Sequence, residues 1–278
     1  MPSTGPRRFP RPAIDGRLAD ITRLEPSKLE IVDGVHAIPG ISWSRAYLIE
    51  DETLALVDAG LPWNVGAVLR YIESIGRKPE ELSTILITHS HPDHTSGVPG
   101  IVKRTHGGVL AHASDTRAHR GDEVFLSYLG LFSGLRLPLP FLERTPATAL
   151  ADGDVLPLLG GIRVIHTPGH TPGSVCYMVE SRRLLFSGDT VFSDGASISR
   201  SVPFPGYDGL KYRDSIERLA GMEFDTLCGG HGEPVVGGAS DRLRELLQAR
   251  PDPPTWRGFL RSVPRRLLHA RGLHGEDP

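Results

Sequence analysis

Cysteine is almost missing from this chain of 278 residues. Cys176 and Cys228 cannot make a disulfide framework, and with histidine and carboxylate ligands available they are expected as buried thiols. An excess of charge of one sign is missing too: 31 Lys and Arg stand against 33 Asp and Glu, a formal net charge of −2 that gives no sign of nucleic-acid affinity. Lysine is scarce beside arginine, a bias with no functional reading. No apolar run approaches the roughly 20 residues of a membrane-spanning helix, so no stable membrane insertion is expected. The Pro/Arg-rich start through Arg7-Arg8-Phe9 also lacks the apolar segment of a secretory signal. These absences predict a cytoplasmic protein with a small-molecule substrate as its partner and no nucleic acid. A homodimer is left open.

What is present is histidine in a particular place. Thr88-His89-Ser90-His91-Pro92-Asp93-His94 follows the apolar run 82–87, which reads as a buried strand. On an extended strand end, side chains two apart point the same way, so His89 and His91 can reach one cation. The turn at Pro92 carries Asp93 and His94 round to a second position. Neutral imidazole suits zinc, iron and similar ions, and a carboxylate beside it can ligate or carry a proton. One such histidine would be an ordinary polar loop residue, but four candidate ligands in six positions point to a metal site.

Three later segments have the same construction. His170 lies in the Pro/Gly loop Thr167-Pro168-Gly169-His170-Thr171-Pro172-Gly173-Ser174, Asp189 follows the strand-like Leu184-Leu185-Phe186, and His231 sits in the glycine loop after Asp225-Thr226-Leu227. Each candidate ligand stands where a strand ends and glycine lets backbone come close.

The length suits one large domain with a sizeable core, or two small ones. Residues 1–20 read as a flexible N-terminal tail, 21–250 as the catalytic domain and 251–278 as a basic amphipathic C-terminal tail. Apolar runs at 29–38, 46–49 and 53–57 predict a strand meander. Val65, Val68, Leu69 and Ile72 predict a helix over 63–75. Strand-rich sequence returns over 154–185, and a helix is expected near 212–219. The stretch 120–145 is rich in large apolar residues and is expected as a flap lining an apolar pocket, with a core helix or a dimer contact as alternatives.

With its ligand pattern in view, the chain resembles the metallo-β-lactamase superfamily over most of its length. The family's histidine, any, histidine, any, aspartate, histidine pattern is matched by His89, His91, Asp93 and His94, and its later histidine, aspartate and histidine by His170, Asp189 and His231. The resemblance implies an α/β fold, an αββα sandwich of two mixed β-sheets flanked by helices. It implies two divalent metal ions, zinc first and iron or manganese as alternatives. One would be held by His89, His91 and His170, the other by Asp93, His94 and His231, with Asp189 bridging. Asp58, ending the run 53–57, looks like the family's first motif, which supports the metal loop; a simple turn residue is the other reading.

The implied activity is that of a binuclear hydrolase in which a hydroxide shared by the two ions attacks a carbonyl or phosphoryl centre, while Asp93 orients it and carries a proton. Asp189 stands where the family's β-lactamases have cysteine or serine, which argues against antibiotic hydrolysis. The sequence around His170 and Asp189 looks most like the glyoxalase II-like branch, yet the short stretch after His231 leaves no room for that enzyme's thioester-binding domain. An ester, lactone or thioester-type substrate, hydrophobic in character, is expected. A mononuclear-iron persulfide dioxygenase using His89, His170 and Asp189 is the alternative; a phosphodiesterase, a nuclease and a non-catalytic binding protein rank lower. His112, Tyr128, Arg200 and Tyr207 are candidates for support or substrate contact, and so is Tyr212, with packing the plainer reading for each tyrosine. His166 is expected to orient the His170 loop. His36 and His106 are expected at the surface or as caps.

Overall fold

The computed structural model describes residues 29–116, 146–203 and 206–249. The two tails beyond them lie outside the described residues, as does all of the expected flap at 120–145, Tyr128 included.

Two sheets carry the molecule. The first has seven strands in sequence order: β1 Glu30–Val32, β2 Val35–Ala37, β3 Tyr47–Glu50, β4 Leu54–Val57, β5 Leu82–Leu86, β6 Gly108–His112 and β7 Ala147–Leu150. β1 to β4 pair antiparallel and β4 to β7 parallel. The second has six strands in the order β15-β14-β11-β10-β9-β8, with β8 Val155–Leu156, β9 Ile162–His166, β10 Val175–Val179, β11 Leu184–Gly188, β14 Thr226–Gly229 and β15 Val235–Val236. Its β11 and β14 are parallel and its other pairs antiparallel. A separate two-stranded ribbon joins β12 Val191–Ser193 to β13 Ile198–Arg200. Within the expected meander the run 29–38 is a hairpin, because Gly34 at φ +76° turns the chain between β1 and β2.

Alternation along the strands sorts residues into layers. Tyr47, Ile49, Ala55 and Val57 of the first sheet meet Val175, Tyr177, Val179, Leu184 and Phe186 of the second in one buried core. Leu48, Leu54 and Leu56 face the other way, against Val68, Tyr71 and Ile72 of helix α1 Val65–Ser74. Cys176, Met178 and Leu185 likewise face Tyr212, Ile216 and Leu219 of a second helix, Gly209–Ala220, and Leu243 of a third, Ala239–Gln248. The layers are therefore helix, sheet, sheet, helix, as expected. Both cysteines are buried free thiols.

The helices between β5 and β7 are α2 Pro92–Thr95, α3 Val98–Thr105 and α4 Ala113–Thr116; those at 209–220 and 239–248 are α5 and α6. Helix α6 has no counterpart in the sequence reading. Among the described residues no helix is long and apolar enough to cross a membrane.

Parallel pairing positions the site. β4 and β5 run the same way, so the loops bearing Asp58 and the 89–94 segment leave one edge. In the second sheet, β9, β11 and β14 share a direction, since β9 and β11 each pair antiparallel to β10. The loops bearing His170, Asp189 and His231 therefore leave one edge as well. In open α/β sheets, sites form at such strand ends.

Candidate metal centre

All seven expected ligands are buried and lie in two groups: His89, His91, His170 and Asp189, then Asp93, His94 and His231. Within each group the candidate ligand atoms lie within 4.8 Å of one another. Asp189 links the two. Its Oδ2 is 3.4 Å from His170 Nε2 and 3.1 Å from His231 Nε2, and its Oδ1 is 3.3 Å from His94 Nε2. His91 presents Nδ1, 2.9 Å from His170 Nε2.

These side chains are aimed from behind. Thr88 donates from its backbone N–H to Asp58 Oδ1 at 2.9 Å and from its hydroxyl to Asp58 Oδ2 at 2.8 Å. With its proton spent there, the Thr88 hydroxyl is left to accept from His89 Nδ1 at 3.0 Å. Asp58 Oδ2 also accepts from His94 Nδ1 at 2.8 Å. One carboxylate thus fixes the tautomer of a histidine in each group and turns Nε2 of both inward, the role of outer partners in metal sites. Of the two readings of Asp58, support of the metal loop is the one the contacts favour. Ser201 Oγ does the same for His170 at Nδ1, 2.8 Å away, and Tyr212 Oη accepts from the Ser201 N–H while donating to the Thr190 carbonyl.

Burial explains the protonation. It holds His89 well below the ordinary histidine range, His91 at about 4 and His170 at about 3, so these imidazoles are neutral and able to ligate at pH 7. His94 is subject to the same burial, but the carboxylates of Asp189, Asp93 and Asp58 outweigh it and raise its pKa. For Asp189 burial acts upward and is outweighed by the imidazoles around it, which hold the carboxyl well below its usual range.

Cations suit this arrangement. His89 Nε2, His94 Nε2 and Asp189 Oδ1 are buried without a hydrogen-bond partner, which is costly unless something else satisfies them. Backbone is cut back to make room: a Cβ on Gly230 would stand 2.2 Å from Asp189 Oδ1 and 2.8 Å from His94 Cε1. A donor set of imidazole and carboxylate fits zinc, iron or manganese.

The remaining candidates are placed elsewhere. His112 stacks on His166 with ring centroids 3.9 Å apart and accepts from the Ser114 N–H; among the described residues it joins neither ligand group. His166 bonds the Pro172 carbonyl at 3.0 Å and so orients the His170 loop, as expected. Arg200, expected near substrate, donates to the Leu246 carbonyl at 2.9 Å and ties β13 to α6. Tyr207 packs on Tyr212, with ring centroids 5.2 Å apart. His36, expected at the surface, is buried against Tyr71, whose hydroxyl lies 3.2 Å from His36 Nδ1; β2 turns it toward α1. His106 is the left-handed cap of α3.

Ser201 and Asp115 are contributors that sequence reasoning missed. Asp115, 1 % exposed, accepts from the N–H of Ser90 and from two groups of the His170 loop. No spacing signal marks either residue, because their partners are far away along the chain.

The model for the metallo-beta-lactamase superfamily matches residues 44–231. A probable metallo-hydrolase, YflN of Bacillus subtilis, is 27% identical over 234 residues, 75% of this chain and 87% of its own. A hydroxyacylglutathione hydrolase of Pseudomonas savastanoi pv. phaseolicola is 30% identical over 200 residues, 69% of this chain and 63% of its own. The structure of TTHA1623 in a di-iron-bound form superposes with a TM-score of 0.57 at 28% identity, covering 76% of this chain and 94% of that one. All seven converging side chains fall inside the matched range, and the chain belongs to the metallo-beta-lactamase superfamily of metal-dependent hydrolases.

Proposed function

We propose that the protein is a binuclear hydrolase of esters, lactones or thioesters, with zinc as the first-choice metal and a hydrophobic small molecule as substrate. The observation that carries this reading is Asp189, one carboxylate in contact with imidazoles of both ligand groups. His89, His91 and His170 would hold one ion, Asp93, His94 and His231 the other, and Asp189 would bridge. Bound there, two divalent cations supply Lewis acidity and bring the ionisation of water close to neutral pH.

The chain's own residues supply the rest. The neutral imidazoles, kept so by burial, fix position without competing for protons. Asp93 is buried at the start of α2, its backbone carbonyl held by the Ser44 hydroxyl at 2.5 Å, and its Oδ2 lies 3.5 Å from His231 Nε2. That places a carboxylate in the second group, where it can accept a proton and return it to a leaving group. The Asp189 carboxylate in place of cysteine or serine argues against β-lactams, and the likeness to a hydroxyacylglutathione hydrolase supports the glyoxalase II-like branch. The hydrophobic preference rests on the apolar sequence at 120–145. A cytoplasmic setting and the absence of nucleic-acid partners are part of the proposal.

Elemental analysis of the purified protein with one iron-sensitive spectrum tests it. About two divalent ions per chain, followed by turnover of an ester, lactone or thioester panel, is the expected result. One iron per chain with no hydrolysis would instead favour persulfide oxidation through His89, His170 and Asp189. Asp93→Asn should reduce kcat about 10²- to 10⁴-fold while the first group still loads metal; near-normal turnover would remove Asp93 from the proton transfer.

A further inference from the structure

The ligand loops belong to different sheets. His89 and His91 follow β5 of the first, His170 follows β9 of the second, and a shared ion demands that the two be held in register. Asp115 on α4 is the side chain that spans them. Its Oδ2 accepts from the Ser90 N–H at 2.7 Å, the peptide between His89 and His91, and from the Thr171 hydroxyl at 2.8 Å, next to His170. Its Oδ1 accepts from the Gly173 N–H at 2.7 Å. The carboxylate is buried, so these are charge-assisted bonds sheltered from water. The approach is close as well: a Cβ on Gly173 would stand 2.5 Å from Asp115 Oδ1 and Cγ, so glycine at 173 lets the loop seat on the carboxylate.

We propose that Asp115 is a positioning residue for the first ligand group, a strap that sets the separation of the His89/His91 loop from the His170 loop. It touches neither ion nor substrate. Asparagine at 115 would keep the size but lose the charge and one acceptor, turning an N–H₂ toward a backbone N–H or a hydroxyl. The consequence is graded: Asp115 holds both ligand loops of the first group, whereas it reaches the second group only through Ser90, on the loop that also carries Asp93 and His94, so the first group is disturbed more.

The inference rests on the two-group site proposed above, and one experiment separates their failures. Metal-stripped full-length protein is titrated with Co²⁺ and followed by its visible absorption and by competition with a chelator. His170→Ala identifies the equivalent bound by the first group and His231→Ala that of the second. Asp115→Asn is expected to weaken the His170-dependent equivalent about 10-fold or more and the His231-dependent one less, with the far-UV circular dichroism unchanged. Thr171→Val should weaken the same equivalent less, and Thr171→Ser should restore it. Wild-type protein that fails to bind two equivalents overturns the two-group site. If wild type binds two and folded Asp115→Asn binds both as tightly, the strap is overturned. Should Asp115→Asn not fold, Thr171→Val decides: wild-type affinity in that variant overturns it equally.

Discussion

At the scale of single residues, the centre depends on carboxylates that turn imidazoles more than on the imidazoles alone. Asp58 holds a φ of +58°, an uncommon backbone state for a residue with a side chain, and from it reaches Thr88 and His94 together. Asp58→Ala removes the acceptor of both, so His89 and His94 lose their fixed tautomers. Metal affinity is expected to fall about 10- to 100-fold, measured by chelator competition; an unchanged affinity would show that the loop holds its ligands without Asp58. Asp58 was legible in the sequence as the end of an apolar strand run, while Asp115 and Ser201 were not. They act across 25 and 31 positions on Ser90 and His170, and nothing local marks such a pairing.

At the scale of elements, loops that end strands do the placing, and small features decide whether they can. Helix α5 starts at Asp208, whose Oδ1 accepts from the N–H groups of Leu210 and Lys211 at 3.1 and 3.2 Å, and whose own N–H donates to the Gly169 carbonyl. Asp208→Ala removes the cap and should lower the Tm by about 2–4 °C; the Gly169 bond comes from the backbone and survives, so metal loading should be little changed. Gly232 is a harsher case. At φ +79° it passes so close to Ser193 that a Cβ would stand 1.6 Å from that carbonyl oxygen. Gly232→Ala must move either the His231 loop or the β12–β13 ribbon, with an expected loss of about 1–3 kcal/mol and weaker binding of the second metal equivalent. Full stability and metal content in that variant would show that the ribbon yields freely. Helix α1 was plain in the sequence from its apolar spacing, whereas the β1–β2 hairpin was hidden inside one apolar run because only the Gly34 turn divides it.

For the whole molecule, gathering five histidines between two sheets has a consequence for stability without metal. His91 at about 4 and His170 at about 3 lie below their unfolded value of 6.5, and His89 is also lowered. As the pH falls from 6.5 toward 4 the unfolded chain takes up more protons than the folded one, so these groups destabilise the fold progressively. His94, raised by its carboxylates, acts in the opposite direction, one group against three. Asp189 is lowered below 3.8, so its stabilisation starts to be lost toward the acid end of this window, in the same direction. The metal-free protein should therefore show a falling Tm across that range, and saturating Zn²⁺ should raise the Tm at neutral pH by mass action. A flat Tm from pH 6.5 to 4 in the stripped protein would contradict the buried neutral cluster.

By itself the sequence determined the chemistry: which residues could ligate and that each stood at a strand end; the αββα expectation came from the family resemblance that the ligand pattern carries. Ligand type and local spacing are properties of neighbouring residues, and neighbours are what a sequence displays. The tertiary structure decided which ends share an edge. It grouped the ligands with Asp189 between the groups, gave Asp58 a histidine in each, and sent Arg200 and His112 to packing roles. Those outcomes depend on strand direction and on contacts between distant segments, which arise only when the two sheets pack face to face across their common core.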